Sequence, residues 1–158
     1  MTEKQKAQKQ EKTQDTTAKL AAVRIRGITQ VHPDVEKTLS MLRLYRKNFC
    51  FVFPNTPTYA GMLMRVKDYI TWGEIDDETY NLLLSKKAED FAGRMTDKKE
   101  IIQSNDYMVV NNKKIKKFFR LNPPRGGFEK KGIKHTYPNG GALGYRGAAM
   151  KDLIKRMI

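Results

Sequence analysis

Between residues 113 and 158, thirteen Lys and Arg face only two acids, Glu129 and Asp152. Five rings interrupt the run: Phe118, Phe119, Phe128, Tyr137 and Tyr145. Cations neutralise phosphates and release counterions, while aromatic faces and arginine planes stack on unpaired bases. A single lysine-rich run is ordinarily a solvated face, but this signal is collective. The chemistry it fits is recognition of a polyanion, nucleic acid first and anionic membrane second. The candidate contacts here are Lys116, Lys117, Arg120, Arg125, Lys130, Lys131, Lys134, His135, Arg146, Lys155 and Arg156. His135 suits base stacking and a solvated loop equally well.

Sets that could support other chemistry fail on spacing. Gly127-x4-Gly132 resembles the start of a phosphate loop, but Ile133 stands where the motif needs Lys. Gly141, Gly144 and Gly147 lack dinucleotide spacing. They read either as a loop needing positive φ or as backbone N–H groups meeting a phosphate before the last helix. Asp76, Asp77 and Glu78 read as a helix start, where acids suit the macrodipole, rather than as a metal site. Cys50 lies in an apolar run and reads as an inert core thiol. His32 reads as a turn residue beside Pro33. One cysteine and two histidines leave no zinc cluster. No catalytic group, cofactor, metal or small-molecule substrate is expected.

The chain has 158 residues, a net charge of +14 and 39 % apolar residues, enough for one core of ordinary size. The charge is lopsided: +2 over residues 1–22, +1 over 23–112 and +11 over 113–158. The longest apolar run, Phe49 to Phe53, is far short of the roughly 20 residues that span a bilayer. The N-terminal segment has no apolar stretch of the secretory kind, and a lone cysteine needs no oxidising compartment. A cytoplasmic location, without membrane attachment, is expected.

A compact body must position these groups. Ala21, Val23 and Ile25 alternate with Ala22, Arg24 and Arg26, a strand that Gly27 ends. Pro33 marks a helix start, with Val35, Thr38, Leu39 and Leu42 as its inward stripe. Arg43, Arg46 and Lys47 fall at its C-terminal end. Phe49–Phe53 is a second strand closed by Pro54. Thr56-Pro57 starts a second helix with the stripe Tyr59, Met62, Leu63 and Val66. A third strand runs Tyr69 to Ile75, where Gly73 suggests a bulge or a close approach. Further helices are expected from Asp77, through Tyr80, Leu83 and Leu84, and from Thr96 through Ile102. Periodicity leaves Asp106–Val110 open between strand and helix. Pro123 to Gly127 breaks regular structure. Ala148 to Ile158 reads as an amphipathic helix that docks on the body through Met150, Leu153, Ile154 and Met157. The fold class is α+β: a small three-stranded β-α-β-α-β sheet with helices on one face, extra helices and a basic C-terminal extension. The divisions are a flexible polar tail over 1–21, a core over 22–76, a helical extension over 77–112 and a basic Gly/Pro-rich extension over 113–158.

Val23-Arg24-Ile25-Arg26-Gly27, Thr38-Leu39-x-x-Leu42-Arg43-Leu44-x-Arg46-x-Asn48 and Gly61-Met62-Leu63-x-x-Val66-Lys67-Asp68-Tyr69-Ile70-Thr71-Trp72-Gly73-Glu74 occur in that order. They closely resemble the large-subunit ribosomal protein family called L-thirty in bacteria and archaea and L-seven in eukaryotes. Pro124-Arg125-Gly126-Gly127 and Leu153-Ile154-Lys155-Arg156-Met157 resemble the C-terminal extension of its archaeal and eukaryotic members. The likeness runs from about residue 22 to the end. It implies a three-stranded sheet with two helices on one face, no enzymatic activity, and a place on the large subunit. The implied partners are large-subunit ribosomal RNA near the 5S RNA region and neighbouring ribosomal proteins. Composition and spacing alone reach only a cytoplasmic nucleic-acid binder.

On this reading the near-neutral body is a platform and the extension supplies much of the affinity. Arg24 and Arg26 are expected on an open strand face, opposite Val23 and Ile25. Arg43, Arg46, Lys47 and Asn48 form a second patch. Removing residues 113–158 is expected to flatten the salt dependence of RNA binding. The rivals are a non-ribosomal RNA- or DNA-binding protein and a nucleic-acid enzyme such as a nuclease, which needs converging carboxylates or a His/Lys pair.

Overall fold

The computed structural model describes residues 19–94, 96 and 106–158. Its strands are β1 (Lys19–Arg24), β2 (Phe49–Pro54), β3 (Ile70–Glu74), β4 (Tyr107–Val110), β5 (Lys113–Lys116), β6 (Phe118–Arg120) and β7 (Gly144–Tyr145). Its α-helices are α1 (Pro33–Met41), α2 (Pro57–Arg65), α3 (Asp77–Lys87) and α4 (Met150–Met157). The helix expected from Thr96 falls largely outside the described residues, and Thr96 itself is not helical. Asp106–Val110, left open by periodicity, contributes strand β4.

The helix starts follow their sequence signals. Pro33 and Pro57 occupy the first turn, where a missing N–H costs nothing. His32 caps α1, its Nδ1 accepting from the Asp34 N–H at 3.3 Å. Thr56 caps α2 in the same way, its Oγ1 accepting from the Tyr59 N–H at 3.5 Å. Helix α1 stops at Met41, because Arg43 adopts a left-handed φ of 56°. Arg43, Arg46 and Lys47 therefore lie in the loop into β2 rather than on the helix end.

Five strands form one sheet in the order β6-β2-β1-β3-β7. The three expected strands are its centre, and the extension adds both edges. β1 runs antiparallel to β2 and β3, with Val23 opposite Cys50 and Thr71. β2 and β3 are thus parallel, joined by α2 crossing over β1. β6 pairs antiparallel with β2, and β7 runs parallel to β3. β4 and β5 form a separate hairpin whose turn residues Asn111 and Asn112 both have positive φ, as a two-residue hairpin turn requires.

Both sheet faces are covered. Leu39, Leu42, Leu63 and Val66 of the α1/α2 layer pack on Leu20, Ala22, Phe51, Phe53 and Trp72. The opposite face presents Ala21, Val23 and Cys50 to Phe119, Leu83 and the α4 stripe Met150, Leu153, Ile154 and Met157. That stripe is fully buried, contributing roughly 1.5–3 kcal/mol per side chain. Gly73 permits a close approach: a Cβ there would sit 2.3 Å from the Gly147 carbonyl and 2.8 Å from Met150 Cβ. The face of Arg24, expected to be open, is covered by α1 and α2, and the docked extension takes the Val23 face that those helices were expected to cover.

Candidate nucleic-acid interface

Strand directions bring the cationic segments together. At one end of the sheet β1 and β6 finish, and β2, β3 and β7 begin. The connections 25–32, 42–48, 66–69 and 121–143 therefore meet there. Helix α4 ends there as well, with its Met157 carbonyl accepting from the Asn122 N–H at 2.9 Å and its Arg156 carbonyl from the Arg125 N–H at 3.0 Å. The Tyr69 carbonyl accepts from the Ile25 and Arg26 N–H groups at 2.9 and 3.1 Å, and the Asn48 carbonyl from the Leu121 N–H at 3.1 Å. Four loops distant in sequence are thus one hydrogen-bonded surface.

Most predicted contacts lie on it. Arg46, Lys47, Arg125, Lys130, Lys131, Lys134, His135 and Lys155 are exposed. None of them has a carboxylate within ion-pair distance among the described residues. Arg26 is half-buried, donating to the Asp68 carbonyl at 3.1 Å and lying 5.6 Å from the Tyr69 ring centre. Arg156 donates to the Gly127 carbonyl at 3.1 Å and lies 3.5 Å from Glu129. Asn48 turns the chain into β2 with φ 66°, and its buried Oδ1 has no hydrogen-bond partner among the described residues. Arg65 and Lys67 are also exposed here, at the end of α2 and the turn into β3. Sequence reasoning missed both. The parallel relation of β2 and β3 was the signal, because it forces α2 to finish at the end where β3 begins.

Others flank the surface beside β6. Glu89 holds Lys116 at 2.7 Å and Arg120 at 3.1 Å. Arg43 is paired with Asp106. Lys117 is held below the usual lysine range, by burial first and then by the Arg43 charge.

Arg24 and Arg146 correct the sequence-based expectation. Arg24 is 2 % exposed. It lies on the face covered by α1, and its guanidinium donates to the carbonyls of Arg26, Gly27, Leu44 and Tyr45 at 2.8–3.1 Å. Burial lowers its pKa, with the Glu36 charge opposing the shift. Arg146 is 5 % exposed. It pairs with Glu129 at 2.5 Å, stacks over Tyr137 at 4.4 Å and donates to Ala142 and Thr71. Neither side chain faces solvent. Arg24 ties loop 25–27 to loop 44–45, and Arg146 closes loop 129–142, so both hold the loops that present the exposed cations.

The other end of the sheet is acidic. Glu74 ends β3, and Asp76, Asp77 and Glu78 open α3. Lys19 and Lys151 pair with Asp77 and Asp76 at 2.6 and 3.4 Å. The molecule is therefore electrically polar along its strands. Among the described residues no group of three His, Cys, Asp or Glu is placed to hold a metal ion. No helix among the described residues is long and apolar enough to cross a membrane.

Comparison with known proteins gives the lineage of this arrangement. The family model described as ribosomal protein L30p/L7e matches residues 20–70, from β1 to the start of β3. The large ribosomal subunit protein uL30 of Methanopyrus kandleri is 42 % identical over 149 residues, covering 85 % of this chain and 100 % of that protein. The chain belongs to the ribosomal protein L30p/L7e family. Proteins of the same description from Nanoarchaeum equitans and Hyperthermus butylicus are each 41 % identical, covering 87 % and 96 % of this chain and 97 % of either relative. Coverage of 85 % or more necessarily takes in much of residues 113–158. The match to the Hyperthermus butylicus protein, at 96 % of this chain, takes in both edge-strand segments.

Proposed function

We infer that the protein is a structural constituent of the large ribosomal subunit, not an enzyme, and that it grips large-subunit ribosomal RNA with the cationic end of its sheet. One observation carries this: four sequence-distant loops and the end of α4 place cations that have no carboxylate partner among the described residues on a single surface, while Glu74, Asp76, Asp77 and Glu78 stand at the far end. The positive end steers the protein onto RNA, and the acidic end repels the backbone and fixes the approach. Phosphate contacts position the protein, and the shape and unpaired loops of the RNA supply selectivity. Family membership supports the ribosomal setting in the cytoplasm. An RNA site near the 5S region is part of the proposal and rests on the family resemblance. Met41 and Met64, exposed on α1 and α2, offer apolar surface to neighbouring ribosomal proteins.

Deletion of residues 113–158 does not test this, because β6, β7 and α4 belong to the core. The test is Lys130→Gln/Lys131→Gln/Lys134→Gln in the whole protein, titrated against large-subunit ribosomal RNA at several salt concentrations. Each phosphate contact contributes roughly 0.7–0.9 to the slope of log K against log salt. The triple variant is expected to flatten the slope by about 2–3, whereas Glu78→Gln leaves it unchanged. An unaltered slope in the triple variant refutes the surface. Duplex DNA bound as tightly as ribosomal RNA at the same salt refutes the RNA reading.

A further inference from the structure

We propose that the cleft between loop 26–30 and Tyr69 receives a single unpaired RNA base. The proposal rests on the RNA-binding reading above and deepens it by naming a subsite and its ligand. The cleft has a volume of about 370 Å³ and is lined by Arg26, Gly27, Thr29, Gln30 and Tyr69. That lies within the range of single-ligand clefts, roughly 300–1,000 Å³.

Its chemistry differs from that of the surrounding lysine surface. The Arg26 guanidinium is held in place, donating to the Asp68 carbonyl at 3.1 Å and lying 5.6 Å from the Tyr69 ring centre. Two backbone hydrogen bonds to the Tyr69 carbonyl fix loop 26–30 against the turn. A planar cation beside an aromatic ring is a stacking platform for a base. Thr29 and Gln30 also line the cleft, and a hydroxyl and an amide can both donate to and accept from a base edge. Gly27 lines the cleft and leaves room for a side chain: a Cβ there meets nothing within 4 Å, and no positive φ forbids one. The cleft is built by two of the loops at the cationic end, and exposed Lys67 stands two residues from Tyr69 in the same turn.

Gly27→Leu adds a side chain to the cleft lining without removing any native contact, because Arg24 reaches the Gly27 carbonyl, not a side chain. Gln30→Gly is a second variant that removes the amide and accepts the left-handed φ of 58° at that position. Full-length protein is titrated with a single-stranded oligouridylate and with an RNA duplex of the same phosphate count. Gly27→Leu is expected to weaken single-strand binding roughly 5- to 150-fold, the range for one base stack. Duplex affinity and both salt slopes stay at wild-type values. Gln30→Gly weakens the single strand less and leaves the duplex unchanged. Loss of both RNAs in parallel, or no loss in either variant, overturns the subsite. Wild-type protein that binds neither RNA refutes the RNA-binding reading itself, a result distinct from failure of the subsite alone.

Discussion

Replacing Arg24 by Met keeps the length of the aliphatic stem and deletes the donors that join two loops. Four carbonyls, those of Arg26, Gly27, Leu44 and Tyr45, lose a charged donor at 2.8–3.1 Å. A hydrogen bond to a charged group contributes about 1.5–3 kcal/mol net, so four bonds taken singly would give about 6–12 kcal/mol. Two effects reduce that figure. The guanidinium is itself penalised by burial, as its lowered pKa records, and the variant is freed of that penalty. Water can also reach the carbonyls, because Arg24 lines a cleft of about 480 Å³ with Pro33, Met41 and Tyr45 and only the Leu44 bond is wholly buried. The expected loss is the roughly 3–5 kcal/mol found when one member of a buried charged network is removed. For a chain of this size that corresponds to a fall of about 6–20 °C in Tm. Thermal and urea unfolding of the free protein, followed by circular dichroism, measures it. Arg24→Lys sharpens the test: it keeps the charge but loses the fork that reaches four acceptors, and is expected to destabilise nearly as much. A lysine variant of wild-type stability would refute the clamp. So would a methionine variant that folds normally but binds RNA more weakly, for then Arg24 acts on RNA directly.

Gly73→Ala drives a methyl to 2.3 Å from the Gly147 carbonyl; a loss of at least about 1–3 kcal/mol is expected in urea unfolding. Truncation after residue 149 exposes the face covered by Met150, Leu153, Ile154 and Met157. The product is expected to lose its cooperative unfolding transition and to bind a hydrophobic dye. Burial pushes the Cys50 thiol up to about 12 from an ordinary 9.0. Between those values the unfolded chain has released a proton that the folded chain retains. Stability is therefore whole below pH 9 and falls above it by at most about 1.4 kcal/mol per pH unit. Cys50→Ala is expected to lack that part of the slope when both proteins are unfolded in urea between pH 9 and 10.5.

The central β-α-β-α-β unit was legible because its signals are local. Pro33, Thr56-Pro57 and the two 3.6-residue stripes each act within a turn of their own position. The edge strands were not legible. β6 has three residues and β7 two, and each exists only through partners roughly seventy residues away. The hairpin had a usable signal in Asn111-Asn112, since asparagine tolerates the left-handed region that such turns need. Arg24 shows a different limit. Residue type reports charge, whereas burial depends on what covers the strand. The covering was implied all the same: the apolar stripe of the last helix needed a partner, and the first two helices had already taken one sheet face. With that helix on one face and α1 and α2 on the other, no side of the sheet stays open. Arg24 then has to be buried and must find acceptors within the protein.

The same covering explains how so basic a segment can bind RNA without a large ordering cost. A detached tail carrying the cations of residues 113–158 would have to order its backbone on binding, at roughly 1–2 kcal/mol per fixed residue. Here the segment is spent on both edges of the sheet and on the helix beneath it, and Arg146 closes its longest loop against Glu129 and Tyr137. Its exposed lysines therefore stand on a surface that folding has already arranged, and little ordering remains for the encounter with RNA. The lopsided charge of the sequence becomes a directional charge of the molecule because β6 and α4 end, and β7 begins, at the end of the sheet where β2 and β3 begin, so the basic loop 121–143 and the last turn of α4 lie together there.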